Sequence, residues 1–176
     1  MTLTSPILNT TWQPEWQPEF IGTLLFIVEG ERILLIHKKT GHGAGKVNGP
    51  GGKLQSGESV VECALRETEE EVGLCALDAE CVLEMRFVEQ EGQQWLGYAC
   101  LATQYVGELT ETPEAKPFWC AIDAIPYDQM WPDDKIWLPQ ILKRDPQTPR
   151  VADFLFRAGS LLEYRWRDSP DIAGTF

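Results

Sequence analysis

Acidic residues cluster in one short segment of the chain, Arg66-Glu67-Thr68-Glu69-Glu70-Glu71. In a helix, successive side chains are about 100° apart around the axis, so Glu67, Glu70 and Glu71 share one arc. Like charges three and four residues apart destabilise a helix, and three carboxylates on one arc therefore indicate ligands for a cation. A solvated helix face without any ligand is the alternative that periodicity alone leaves open.

The side chains available for coordination indicate which metal is expected. The chain has 27 Asp and Glu residues but only two histidines, and its five cysteines include no C-x-x-C pair. Zinc prefers nitrogen and sulfur ligands, whereas carboxylate oxygens suit hard cations. The composition therefore predicts Mg²⁺, with Mn²⁺ as an alternative. The odd number of cysteines predicts reduced thiols.

Length and charge limit the classes of protein to be considered. A chain of 176 residues that is 43% hydrophobic predicts one domain. A net charge of -12 argues against binding to a nucleic acid polymer. The apolar run 21–28 is too short to span a bilayer, and no Lys or Arg precedes Arg32 as in a signal peptide. We therefore expect a soluble, cytoplasmic protein without a membrane partner, a monomer or a dimer, that binds a small molecule.

The first 18 residues contain a duplicated tetrapeptide, Trp-Gln-Pro-Glu. Proline at every fourth position disfavours both helix and strand pairing. Residues 1–18 are therefore predicted to form an extended arm without catalytic function, which lies on the domain's own surface or on a partner. The predicted domain spans 19–167, and 168–176 form a short tail.

Local patterns predict the elements that position the acidic segment. Two apolar segments, 21–28 and 32–37, are separated by Glu-Gly-Glu and predict a hairpin. Residues 38–53 hold six glycines, which predicts a loop that needs close backbone approach. A helix should follow over 59–72, with Gly73 as its left-handed cap.

The predicted helix should bury one face, and the remaining strands should form a sheet beneath it. Its apolar periodicity places four residues on the core face: Val61, Leu65, Thr68 and Val72. Further predicted elements are strands at 81–89, 94–106 and 118–121, a helix over 136–143, and a last hairpin across 157–160. Strands mixed with two helices predict an α/β or α+β fold with a mixed sheet.

The spacing of the acidic segment relative to Gly52 and Glu58 is specific. Gly52, five residues, Glu58, seven residues and then Arg66-Glu67-Thr68-Glu69-Glu70-Glu71-Val72-Gly73-Leu74 match the pattern G-x5-E-x7-R-E-U-x-E-E-x-G-U, where U is a large aliphatic residue. The chain resembles the Nudix hydrolases on these residues, with Thr68 as the one departure. The resemblance implies the Nudix fold, an α/β/α sandwich with a central mixed β-sheet and a catalytic helix.

The resemblance also implies a reaction. Glu67, Glu70 and Glu71 would hold Mg²⁺, and water would attack an internal phosphorus of a nucleoside triphosphate to release pyrophosphate. Glu67 or Glu71 would take the proton of the water. The other implied roles are an orienting pair, Glu58 and Arg66; further metal ligands, Gly52 and Glu114; and phosphate contacts from Gly51, Gly52, Lys53 and Lys38.

Two further segments resemble one subfamily, the 8-oxo-dGTP diphosphatases, which degrade oxidised purine nucleotides. These are the loop 38–53 and the segment Met130-Trp131-Pro132-Asp133-Asp134. The resemblance implies that Asn48, Asp133 and Asp134 bind the base edge, that Trp131 stacks on its face and that Thr23 lines the pocket. His42 and Trp95 replace an expected Phe and Met, so the pocket wall is altered.

Other interpretations remain at this stage. Trp131 could be a core residue, Asn48 a turn former, and the two aspartates a helix N-cap ahead of Ile136. The substrate could be another pyrophosphate, such as a nucleotide sugar or a pterin triphosphate. A non-catalytic nucleotide sensor is a third interpretation, although such proteins usually lose glutamates from the box and none is missing here.

Overall fold

A computed structural model describes residues 16–167, so most of the predicted arm and the predicted tail 168–176 lie outside the described residues. The strands are β1 Phe20–Glu29, β2 Arg32–Lys38, β3 Val47–Asn48, β4 Leu74–Ala76, β5 Glu80–Glu89, β6 Trp95–Ala102, β7 Tyr105–Gly107, β8 Ala115–Ala121, β9 Val151–Arg157 and β10 Ser160–Arg167. The α-helices are α1 Val60–Val72 and α2 Asp134–Leu142. Short 3-10 turns cover Ile122–Ala124 and Tyr127–Gln129.

The main sheet of the described residues has eight strands. Their order is β10-β9-β5-β6-β1-β2-β3, and β8 pairs with β2. β1 runs parallel to β6 and β5 runs parallel to β9, whereas the other pairs are antiparallel. The predicted mixed sheet is therefore confirmed.

The two helices cover opposite faces of this sheet. Because side chains alternate along a strand, Leu25 and Phe26 of β1 enter different cores. Phe26 packs with Trp137 of α2, and Leu25 packs in a second cluster with Ala64 of α1. The predicted α/β/α sandwich is confirmed. None of the described helices is long and apolar enough to cross a membrane.

Helix α1 begins and ends where the sequence predicts. The Ser59 hydroxyl accepts from the Glu62 N–H, and the Glu62 carboxylate accepts from the Ser59 N–H, which is a capping box. At the other end Gly73 has φ 76° and donates its N–H to the Glu69 carbonyl over 2.9 Å. These local caps fix the length of the helix that carries the glutamates.

The buried face of α1 is rotated from the predicted one. Val61 and Leu65 are only half-buried, whereas the fully buried set is Cys63, Ala64, Thr68, Glu71 and Val72. Thr68 donates its hydroxyl to the Ala64 carbonyl over 2.7 Å, which satisfies a buried polar group within the helix. The rotation places Glu71 inside the protein, whereas Glu70 of the same predicted arc is exposed.

Two other expectations are wrong in detail. The predicted strand 94–106 is interrupted, because Asp78 accepts the N–H groups of Thr103 and Gln104 and so forms a turn. Cys81 and Cys100 face each other on antiparallel β5 and β6 and are joined in a disulfide, which corrects the expectation of five reduced thiols. The free cysteines of the described residues are Cys63, Cys75 and Cys120.

Candidate active site

The glycine-rich loop is held against β1. Thr23 donates its N–H to the Gly52 carbonyl over 2.9 Å, and Leu25 donates to the Pro50 carbonyl over 2.8 Å. A Cβ on Gly51 would lie 1.8 Å from the Thr23 carbonyl oxygen, so only glycine fits there. A Cβ on Gly52 would lie 2.2 Å from the carboxyl carbon of Glu67. The two glycines therefore bring the loop backbone into contact with both β1 and the catalytic helix of the Nudix pattern.

Arg66 organises the carboxylates on the outer side of α1. It binds Glu58 with two hydrogen bonds, Nε to Oε1 at 2.7 Å and Nη2 to Oε2 at 3.0 Å. Its Nη1 donates to Glu67 at 2.7 Å and to Glu70 at 3.2 Å. The guanidinium lowers the pKa of Glu58 to about 2, so Glu58 is ionised near neutral pH. Glu58 and Arg66 therefore form an ion pair with planar two-point geometry.

Glu71 connects the helix to β2 and to the loop. Its side chain is fully buried, forms an ion pair with Lys38, and accepts the Gly51 N–H over 3.0 Å. Burial raises the pKa of Glu71, while the hydrogen bond from Lys38 opposes that change. Glu71 thus fixes the relative positions of Lys38 and the glycine turn.

The expected metal ligands Glu67, Glu70 and Glu71 form ion pairs with basic side chains. In residues 16–167, no three His, Cys, Asp or Glu side chains lie close enough together to hold a metal ion. Glu71 is directed to Lys38, Glu67 to Arg66, and the Glu70 side chain is 56% exposed. The donor chemistry nevertheless fits a hard cation, since Glu67 lies against the space that a Cβ on Gly52 would fill and offers carboxylate oxygens there.

A cavity of about 460 Å³ lies between the glycine-rich loop and the segment that enters α2. It brings together two sequence motifs that are about 80 residues apart, from Gly51 to Trp131. Glu114 also lines it. The residues predicted to bind substrate all lie on its wall: Thr23, Lys38, Asn48, Gly51, Gly52, Lys53, Trp131, Asp133 and Asp134.

Asp133 and Asp134 are buried residues in the wall of this cavity. They are 3% and 2% exposed. Asp133 accepts from Nε1 of Trp137 and Asp134 from the backbone N–H of Trp131, both at 2.9 Å. Burial raises the pKa of Asp133 to about 6, and burial together with the charge of Asp133 raises the pKa of Asp134. Asp133 is the N-cap residue of α2, but its side chain makes no capping hydrogen bond, so the structure does not support a capping role for it.

Two other predicted residues have local contacts as well. The Thr23 hydroxyl lies 3.4 Å from Sγ of Cys63, which is buried beneath the loop. The Asn48 side-chain oxygen accepts the Gly49 N–H over 2.8 Å, as expected of a turn former. Both residues still line the cavity. The Asn48 side chain can therefore shape the loop through its oxygen and still contact a ligand through its amide NH₂.

Trp95 lines the cavity as expected, and aromatic residues that the site prediction missed complete the wall. Trp95 stacks on Phe87 with ring centroids 4.1 Å apart and on Phe20 at 5.5 Å. Phe156 also lines the cavity. Phe87 and Phe156 lie on β5 and β9, which are brought together by parallel pairing of distant strands. No local sequence signal reports such a pairing.

Comparison with known proteins identifies the family. The family model described as NUDIX domain matches residues 19–141. Proteins named oxidized purine nucleoside triphosphate hydrolase are 42% identical in Danio rerio and 37% identical in Mus musculus, and each alignment covers 69% of this chain and 79% of the relative.

A solved structure supports the same assignment over a longer stretch. The crystal structure of a MutT protein from Bacillus halodurans has a TM-score of 0.72 and 27% identity, and covers 86% of this chain and 99% of that one. The family match, the sequence relatives and the box over 52–74 agree with one another. The chain therefore belongs to the Nudix family and is a Nudix hydrolase.

Proposed function

We propose that this enzyme hydrolyses oxidised purine nucleoside triphosphates such as 8-oxo-dGTP to the monophosphate and pyrophosphate. The observation that carries the proposal is one cavity whose wall contains both the box glycines and the buried aspartate pair. The names of the two sequence relatives support the same substrate class.

The base would bind beside Asp133 and Asp134. The raised pKa values of both carboxyl groups favour a pair that shares one proton. A protonated carboxyl donates to an acceptor such as O6 of guanine, while an ionised one accepts from the ring N–H groups. Transfer of the proton from one carboxyl group to the other would exchange donor and acceptor, and the pair could then bind an oxidised adenine. Stacking on Trp131 adds affinity for any base, so the aspartates must discriminate.

The triphosphate would lie beside the glycine turn at Gly51 and Gly52. Glu67, Glu70 and Glu71, with the Gly52 carbonyl and Glu114, would hold Mg²⁺. When bound, this ion neutralises phosphate charge and promotes ionisation of the attacking water. Arg66 keeps Glu58 and Glu67 oriented through its hydrogen bonds. Lys38 and Lys53 line the cavity and would offset the remaining negative charge.

Residues of this chain would also accept the proton of the attacking water and contact the leaving group. Either Glu67 or Glu71 would accept a proton from the attacking water. The leaving pyrophosphate would depart toward the lysines. A non-catalytic sensor is disfavoured, because every glutamate of the box is present and Arg66 holds three of them in hydrogen bonds.

A nucleotide panel with Mg²⁺ tests this function. It comprises 8-oxo-dGTP, 2-hydroxy-dATP, dGTP, a nucleotide sugar and a pterin triphosphate, with the phosphate products identified in each case. We expect the oxidised purines to have the highest kcat/KM and to release pyrophosphate. A higher kcat/KM for the nucleotide sugar or the pterin would show that the substrate class is wrong.

Substitution of the aspartates tests their contact with the base separately from the class of reaction. Asp133→Ala and Asp134→Ala should each lower kcat/KM for 8-oxo-dGTP at least tenfold, since an unmatched buried polar group costs about 1 to 3 kcal/mol. Asp128→Ala is the matched control, because Asp128 is exposed nearby. Unchanged preference among the three purine nucleotides in both variants would contradict the role of the pair.

A further inference from the structure

Glu89 is the last residue of β5, and its side chain lines the cavity. Its Oε1 accepts the N–H groups of Glu91 and Ala158, each over 3.0 Å, and its Oε2 accepts the N–H group of Gly159 over 3.1 Å. Ala158 and Gly159 form the turn between β9 and β10, whereas Glu91 belongs to the turn between β5 and β6. One carboxylate therefore joins two hairpin turns that are distant in sequence.

The β9–β10 turn has a backbone conformation that needs support. Ala158 has φ 49° and Gly159 has φ 76°, so both residues of this two-residue turn lie in the left-handed region, as a type I′ hairpin requires. A residue with a Cβ disfavours this region, and it keeps such a conformation where neighbouring contacts fix it. Glu89 supplies such contacts, because it accepts the N–H groups of both turn residues.

The β5–β6 turn packs closely on the same side chain. A Cβ on Gly92 would lie 2.8 Å from Cγ of Glu89. Burial raises the pKa of Glu89, but backbone N–H groups, including those of both turns, outweigh burial and hold the pKa below its ordinary value. Glu89 is therefore ionised near neutral pH. Hydrogen bonds to an ionised acceptor are about twice as strong as those between neutral groups.

Both turns also contribute to the cavity wall. Gly159 lines the cavity from the β9–β10 turn, and Gln93 lines it from the β5–β6 turn. The aromatic residues Phe156 and Trp95, which lie close to the two turns in sequence, line the cavity as well. A change in the relative position of the turns would therefore change the shape of this part of the wall.

We propose that Glu89 is a positioning residue of this enzyme: its carboxylate holds the β5–β6 and β9–β10 turns together and so keeps this part of the cavity shaped for the substrate. Its hydrogen bonds within residues 16–167 are to these turns and do not reach the glutamates of α1, so it acts on substrate binding and takes no part in bond cleavage. The inference rests on the proposed function only for the choice of substrate in its test.

Steady-state kinetics with 8-oxo-dGTP and Mg²⁺ test the role of Glu89. Loss of one hydrogen bond to a charged group changes an equilibrium by about tenfold or more, and a less populated binding-competent form weakens binding by the same factor. Glu89→Ala should therefore raise KM about tenfold, while kcat stays within about twofold. Glu89→Gln keeps one acceptor oxygen but loses the charge, so its KM should lie between those of Glu89→Ala and the wild type.

Asp78→Ala is the matched control. Asp78 accepts the N–H groups of Thr103 and Gln104 and the hydroxyl of Thr103, so it also fixes a turn through three hydrogen bonds. These three residues are outside the set of described residues that line the cavity. Both alanine variants should be less stable than the wild type in urea, but only Glu89→Ala should have a raised KM.

The KM values distinguish positioning from a contact that only stabilises the fold. An unchanged KM in Glu89→Ala would overturn the inference, as would an equal rise in Asp78→Ala or a KM in Glu89→Gln that is no lower than in Glu89→Ala. A fall in kcat at unchanged KM would also overturn it, because Glu89 would then act on bond cleavage. If Glu89→Ala does not fold, a KM of Glu89→Gln above that of the wild type supports the inference, and an equal KM overturns it.

The outcomes separate this inference from the proposed function. If the wild type hydrolyses the nucleotide sugar or the pterin triphosphate with a higher kcat/KM than 8-oxo-dGTP, the proposed function is wrong, and the same comparison of KM with that substrate tests Glu89. Efficient hydrolysis of 8-oxo-dGTP together with an unchanged KM in Glu89→Ala would refute the role of Glu89 alone.

Discussion

Asp133 should make the stability of the folded enzyme depend on pH in an unusual direction. The carboxyl group is buried and its pKa is raised to about 6, from 3.8 for an unperturbed Asp. An Asp with a raised pKa stabilises the fold fully below its unfolded pKa, and this contribution is lost as pH rises through the folded pKa. The substitution Asp133→Asn removes the titration but keeps an oxygen that can accept from Trp137 Nε1.

The expected magnitude follows from the two pKa values. Their separation is about 2 units, and one unit corresponds to about 1.4 kcal/mol, so the full effect is about 3 kcal/mol. Most of it develops between about pH 4 and pH 7. The free energy of unfolding of Asp133→Asn, relative to that of the wild type, should therefore rise by about 2 to 3 kcal/mol from pH 4 to pH 8.

Urea unfolding at a series of pH values measures this difference. Tryptophan fluorescence follows the transition, and Asp128→Asn serves as the control because Asp128 is exposed. General acid effects act on wild type and variants alike and cancel in the comparison. A difference between Asp133→Asn and wild type that stays constant from pH 4 to pH 8 would refute the assigned pKa.

Three other outcomes are expected. Glu67→Gln and Glu71→Gln should each lower kcat about 100-fold or more at saturating Mg²⁺ while the fold persists, and near-normal steady-state turnover in both would remove them from the catalytic set. Gly51→Ala should destabilise the protein strongly in urea because its Cβ meets backbone. Gly52→Ala should displace the Glu67 side chain and therefore lower activity more than stability. The loop assignment would be contradicted if Gly52→Ala were the more destabilising of the two substitutions. Deletion of 1–18 should leave kcat/KM within about threefold, and a large fall in kcat with the fold retained would show that the arm completes the site.

Features encoded by neighbouring residues could be predicted from the sequence. Helix α1 is fixed by Ser59 and Gly73, whose caps are local, and its boundaries agree with the prediction. The box identifies the family for the same reason, because its spacing is read along one contiguous segment, 52–74. The final hairpin was also predicted, and its turn falls at Ala158 and Gly159 between β9 and β10.

Features that depend on distant strand pairing could not be predicted. The predicted hairpin of β1 and β2 pairs only near its turn, and β1 continues as the parallel partner of β6. The glycine loop then occupies the space beside β1. The burial of Glu71 and the aromatic wall at Phe87 follow from this arrangement. Helical periodicity placed the glutamates on one arc but could not show that the arc is divided between core and solvent.

The most direct measurement of the central claim is the ratio of kcat/KM for 8-oxo-dGTP to that for dGTP in the wild-type enzyme with Mg²⁺. The oxidised base presents an N–H at position 7 where guanine presents an acceptor, so a cavity matched to the oxidised edge leaves a polar group unmatched with dGTP. We predict a ratio of at least about 10, with 8-oxo-dGMP and pyrophosphate as the products. A ratio near one, or products other than these two, would contradict the account.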